Sequence, residues 1–184
     1  MLTVRSDYLR AVQACVAGRD DPRTSLQNVY MDPAGLLVAS NGHVLITVPL
    51  DGPEDDRPAE GFVFAPVKVS GPEMLFDLEA DRILSAKGLP QLLTPVVAGD
   101  KYIEWRRVVP SRNRKTGKTD SIGVDPRLLA PIAKALNTPC ALRFGVEPLT
   151  DPIIVDWFGH PDVTCVVMPC RVLTNRRPCG AGPT

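Results

Sequence analysis

The apolar positions along the chain switch between two periods. Residues 2–5 alternate weakly, which predicts an opening strand. From Ser6 onward, Leu9, Val12 and Val16 fall on one helical face, with Ser6 suited to the N-cap and Gly18 to the C′ position. Residues 24–31 alternate again and predict a strand. The Asp32-Pro33-Ala34-Gly35 turn separates it from a second strand at 36–40, and Asn41-Gly42, a hairpin dipeptide, leads to a third at 43–50. The first 50 residues therefore read β-α-β-β-β. Near the other end Asp125 suits an N-cap and Pro126 the N1 position. Leu128, Leu129, Ile132 and Leu136 make one helical face, Asn137 ends it, and Pro131 predicts a kink. Strands follow at 140–146, 153–158 and 163–172. Residues 122–172 thus repeat the β-α-β-β-β order, and each unit leaves a sheet edge that needs a partner.

The middle of the chain is less regular. Residues 51–60 are an acidic, proline-containing connector. Strands are predicted at 62–70, 83–87, 92–97 and 101–110, and a short helix at 72–79. Residues 111–120, SRNRKTGKTD, hold no apolar residue and mark a boundary. This stretch reads as a solvated basic loop, with phosphate contact as the alternative; its glycine spacing does not match a phosphate-cradling loop.

Composition narrows the functional classes. At 184 residues with 44% hydrophobic and 23% charged positions, the chain can build a true core. Twenty-one Lys+Arg against 21 Asp+Glu exclude binding to nucleic acid through bulk charge, although a local basic face remains open. With 5% aromatic residues, a stacking platform for single strands is not expected. No stretch approaches a membrane span and no membrane partner is expected. The five cysteines form no CxxC pair and suit a reduced, cytoplasmic chain rather than a disulfide framework.

Chemistry is thin. The two histidines, His43 and His160, accompany no nucleophile motif. His160, Cys165 and Cys170 are spaced by fives, which places the two cysteines on opposite faces of a strand and argues against zinc. Asp55 and Asp56 sit in the acidic connector. No catalytic residue, metal site or cofactor is indicated, and the chain is not expected to be an enzyme.

Three patches carry a resemblance. Leu36-Leu37-Val38-Ala39-Ser40-Asn41-Gly42-His43-Val44-Leu45 resembles the stretch LVATDGHRLA of the bacterial DNA polymerase III beta subunit, the sliding clamp. Tyr102-Ile103-Glu104-Trp105-Arg106-Arg107-Val108-Val109-Pro110 resembles that family's FPDYRRVLP, and Val166-Val167-Met168-Pro169-Cys170-Arg171-Val172 its terminal VVMPMRL. The patches come in the family's order, each closing a strand-rich unit. Ser40-Asn41 stands for Thr-Asp, Val44 for Arg, Ile103 for Pro and Cys170 for Met.

The resemblance implies an α+β, DNA-clamp-like fold of β-α-β-β-β units, with sheets outside and short helices on one face. Residues 1–110 would match the clamp's middle domain, 111–120 a basic linker, 121–173 the end of the last domain, and 174–184 a flexible tail. It further implies a processivity factor for DNA replication. Its peptide-binding pocket, built from Ser40, Gly42, His43, Val44, Leu45, Arg107, Val108, Val167, Met168, Pro169, Cys170 and Arg171, would take the clamp-binding motif of a DNA polymerase or similar partner. Met168, Val167, Val108 and Leu45 would share one apolar wall. Arg10, Arg127 and Lys134 on the helices would face duplex DNA without reading its sequence, with Arg19, Arg23, Arg112, Arg114, Lys115 and Lys118 as secondary contacts. The chain holds about three units of roughly 60 residues against about twelve in a clamp ring, which suggests a homo-oligomer of about four chains. The alternative is a clamp-derived peptide-binding adaptor or decoy that forms no ring.

Overall fold

The computed structural model describes residues 1–85, 90–93, 95, 101–111, 122–147 and 150–170. Strand β1 (Leu2–Arg5) leads directly into helix α1 (Ser6–Gln13). A 3₁₀ turn at Thr24–Gln27 precedes the antiparallel run β2 (Val29–Asp32), β3 (Leu36–Ser40) and β4 (Val44–Pro49). Four short strands follow: β5 (Phe62–Phe64), β6 (Glu73–Asp77), β7 (Arg82–Ser85) and β8 (Gln91–Leu92). Helix α2 (Pro126–Leu136) and strands β9 (Cys140–Arg143), β10 (Ile153–Trp157) and β11 (Thr164–Val167) complete the described elements.

The strands form two sheets. One has seven strands in the order β5-β2-β3-β4-β11-β10-β9, and the other has four in the order β1-β6-β7-β8. Every pairing is antiparallel. The joint between the early and late parts of the chain is the β4–β11 ladder, with Val44 opposite Val167 and Ile46 opposite Cys165. Helices α1 and α2 pack on each other, and α1 lies over β3 and β4.

One core runs through this layer. Leu9 and Val12 of α1, Ile132 and Leu136 of α2, and the inward residues Leu37, Ile46, Val155 and Val167 belong to it, all buried. Asp125 caps α2 by accepting the Arg127 backbone N–H at 2.9 Å, and Asn137 ends the helix in the left-handed region at φ 51°. The helix continues through Pro131. Pro131 and Arg127, whose carbonyl loses its usual partner there, are both exposed.

Several local expectations are corrected. Arg5, not Ser6, occupies the N-cap of α1, and Ser6 is buried as the first helical residue. Residues 24–27 turn rather than extend. The helix expected at 72–79 is strand β6: Met74 and Phe76 alternate into the core opposite Val4 and Leu2 of β1, and this period of two prevails over the helix-like start. The strand expected at 101–110 is an irregular segment with a 3₁₀ turn at Trp105–Arg107. Tyr102 and Trp105 are both buried, a spacing of three that a strand cannot place on one face. The strand opening the second unit shrinks to a bridge between Gly123 and Cys170. The basic stretch 112–120 and the tail 174–184 lie outside the described residues.

Candidate functional site

The first patch ends in a turn that side chains tie tightly. The Ser40 hydroxyl donates to the Val44 carbonyl at 2.9 Å and accepts the Gly42 N–H at 3.1 Å. The Asn41 carboxamide oxygen accepts the N–H groups of His43 and Val44 at 2.9 and 3.0 Å. Gly42 has φ +86°, a left-handed backbone that calls for glycine, and the Arg23 guanidinium lies 2.7 Å from where a Cβ would stand. Arg23 itself is held by Asp21 at 2.7 Å.

The turn hands the chain to the third patch. The Met168 N–H donates to the His43 carbonyl at 2.8 Å, extending the β4–β11 ladder by one step, and the Cys170 N–H donates to Gly123 at 2.7 Å. His43, Gly42 and Cys170 are exposed, whereas Met168 and Pro169 are half-buried. Arg171 lies outside the described residues.

The second patch crosses the sheet face opposite the helices, and a buried carboxylate pins it. Asp32, 2% exposed, accepts both guanidinium nitrogens of Arg106 at 2.7 and 2.9 Å, the Trp105 indole N–H at 3.1 Å and the Ala34 N–H at 2.9 Å. The Arg106 guanidinium also stacks 4.3 Å from the Trp105 ring centre. Burial pushes the Asp32 carboxyl upward. The hydrogen bonds from Arg106, Ala34 and Trp105 outweigh it and hold the group below the usual carboxylate range. Tyr102 stacks on Tyr30 with ring centres 4.6 Å apart, and its hydroxyl donates to the Val38 carbonyl at 3.3 Å. Burial pushes the Tyr102 phenol well up.

The three patches meet on this outer face. Val38 and Leu45 from the first, Tyr102 and Trp105 from the second, and Val166 from the third share one apolar cluster with Leu26 and Ile154. Val109 packs against this cluster, whereas its neighbour Val108 is 39% exposed. Strand alternation divides the expected wall, however. Leu45 and Val166 face this cluster, whereas Val44 and Val167 face the helix-side core. Val167 therefore stands on the opposite side of the sheet from Leu45. Sequence reasoning did not single out Asp32, Tyr30, Leu26 or Ile154; Asp32 hides in what looks like an ordinary Asp-Pro-Ala-Gly turn.

On the helix side, Arg10 and Lys134 are exposed and carry no ion pair among the described residues. Arg127 is exposed but folds back onto Asp125 at 2.7 Å, which holds that carboxyl below its usual range. Among the described residues no cluster of His, Cys, Asp or Glu is arranged to hold a metal, and no helix is long and apolar enough to cross a membrane.

This arrangement, paired helices on one face of antiparallel sheets, is the fold of the bacterial sliding clamps. The chain is similar to the Caulobacter crescentus beta sliding clamp with a TM-score of 0.64 at 16% identity, over 93% of this chain and 66% of the clamp. The Bacillus subtilis clamp gives 0.60 at 11% identity, over 93% and 64% of the two chains. The DNA polymerase III beta subunit of Thermotoga maritima gives 0.59 at 13% identity, over 92% and 65%. The chain therefore spans just under two thirds of the clamps it matches. No family model matches the sequence, and no curated protein matches it.

Proposed function

We propose that this chain is a clamp-type, non-enzymatic processivity factor of DNA replication. Its outer face takes the apolar residues of a clamp-binding motif from a DNA polymerase or similar partner. Its helix face turns toward duplex DNA inside a ring of copies. Residues 1–110 stand for the clamp's middle domain and 121–173 for the end of its last. The observation that carries the reading is the convergence of the three patches on one apolar cluster. Leu45 and Val166 belong to that cluster, and the accessible residues Val108, Met168, His43, Gly42 and Cys170 would edge the bound motif.

Calorimetry with a clamp-binding peptide from a bacterial replicative polymerase tests it. Micromolar binding, about −8 kcal/mol, is expected. Val108→Asp should weaken it by roughly 1–3 kcal/mol without unfolding the chain, because Val108 is already part-exposed. No heat of binding at hundreds of micromolar would remove the groove. Light scattering over a range of concentrations tests the ring: a constant monomer mass would leave the adaptor reading in its place.

A further inference from the structure

The segment that walls the proposed groove has a second side. Between it and strands β2 and β5 lies an open cavity of about 640 Å³. The chain has only two tryptophans, three tyrosines and five phenylalanines, and four of these, Tyr30, Phe62, Tyr102 and Trp105, line this one cavity. Such concentration in an aromatic-poor chain is more than a sheet face needs for cover.

The cavity is held open by named contacts. Asp32 fixes Trp105 and Arg106 on one side. Gly61 makes room on the other: a Cβ there would lie 2.0 Å from the Tyr30 hydroxyl. Charge on the lining is nearly spent. Asp32 is occupied by Arg106, and Glu104 pairs with Arg107 at 2.6 Å. Lys101 is exposed and forms no ion pair among the described residues, and the Tyr30 hydroxyl has no hydrogen bond among them. What remains on offer is an aromatic-walled hollow with one cation and one hydroxyl.

We infer that this cavity is a second subsite for the same partner chain, taking an apolar or aromatic side chain followed by a carboxylate just outside the clamp-binding motif. The inference rests on the groove reading above. It commits to the same partner because groove and cavity share a wall: Tyr102 and Trp105 belong to both. A linker of three extended residues reaches roughly 10 Å, and the test uses that length. The aromatic walls supply apolar contact area, Lys101 and the Tyr30 hydroxyl select an acid, and the prior pairing of Asp32 and Glu104 removes competing repulsion.

The experiment compares three peptides by calorimetry: the motif alone, and the motif extended at either end by three glycine or serine residues and Phe-Asp. One extended peptide is expected to bind about tenfold more tightly than the motif alone. Lys101→Glu and Tyr30→Phe should each erase most of that gain while leaving motif-only affinity unchanged, as should replacing the peptide's Phe-Asp by Phe-Lys. Motif-only binding with no gain from either extension would overturn the second subsite and leave the groove intact. Lys101-sensitive binding of an extended peptide, with none by the motif alone, would uphold the cavity and overturn the groove. No binding by any peptide would overturn both. Lys101 is on the surface and Tyr30→Phe keeps the ring, so circular dichroism should show both variants folded.

Discussion

The two faces of the seven-stranded sheet are covered by different means. The helix face carries α1 and α2 over a continuous core of aliphatic residues, and regular hydrogen bonding inside the helices satisfies the covering backbone. The outer face is covered by the irregular segment 101–110. It has no ladder to any strand among the described residues, and side chains fasten it instead: Trp105 and Arg106 to Asp32, Tyr102 to Val38. Under the proposed function, that difference separates stability from recognition. A face sealed by helices gains the most from burial, whereas a face crossed by one pinned segment keeps a cavity beside that segment, walled by Tyr30, Phe62, Tyr102 and Trp105.

The largest expected effect breaks the sealed face. Ile132 of α2 is fully buried in the helix-side core. Ile132→Ala should cost about 2–5 kcal/mol, the lost transfer energy plus that of the cavity left behind. A lower urea midpoint with an unchanged slope would report it. On the outer face Tyr102→Phe, which removes only the long 3.3 Å bond to Val38, should cost about 0.5–1.5 kcal/mol. Equal costs would mean that the two faces are not divided as described.

The next effect isolates the pin. Asp32→Asn removes the charge that orients Arg106 and should cost about 1–3 kcal/mol, moderated because the Arg106 side chain is 58% exposed. The pH dependence follows from the sign of the shift. Asp32 is held below the ordinary carboxylate value in the folded chain. Its contribution is therefore complete above the unfolded value, about 3.9, and is lost as pH falls through the folded value. Between pH 5 and 2 the parent should lose stability more steeply than Asp32→Asn in parallel denaturation series. Parallel curves would show that Asp32 does not carry the pin.

How far these features were legible in the sequence follows the same division. The helix face was open to reading because its signals are local and periodic: Leu9 with Val12, and Ile132 with Leu136 between Asp125 and Asn137. The clamp-like fold was legible through the three patches. The outer-face cover was not. Tyr102 and Trp105 look like strand residues until a partner strand fails to appear, and Asp32 reaches Trp105 across 73 positions, beyond any local pattern. Strand β6 was missed for a related reason. Its identity depends on pairing with β1, about 70 residues earlier, and Pro72 just before it with Glu73 suggests a helix start. Alternation was available for Leu45 and Val44, and for Val166 and Val167. Taking each patch as a block obscured the fact that neighbours in it face opposite sides of the sheet.

The smallest expected effect concerns the helix face as a surface. A chain of zero formal net charge offers no strong field, and pairing thins what it has. Arg127 is neutralised by Asp125, whereas Arg10 and Lys134 carry no ion pair among the described residues. Weak, sequence-independent binding of linear duplex is therefore expected, carried mainly by these two. Each phosphate contact adds about 0.9 to the slope of log affinity against log salt, so Arg10→Glu with Lys134→Glu should lower that slope by up to about two. Arg127→Glu should change it less, since its positive charge is already spent on its own N-cap. Fluorescence anisotropy with two duplexes of unrelated sequence, at several low salt concentrations, measures both. Equal loss on the two duplexes would show that the helix face meets phosphate rather than bases. An undiminished slope in the double variant would separate the helix face from DNA altogether, leaving recognition to the outer face alone.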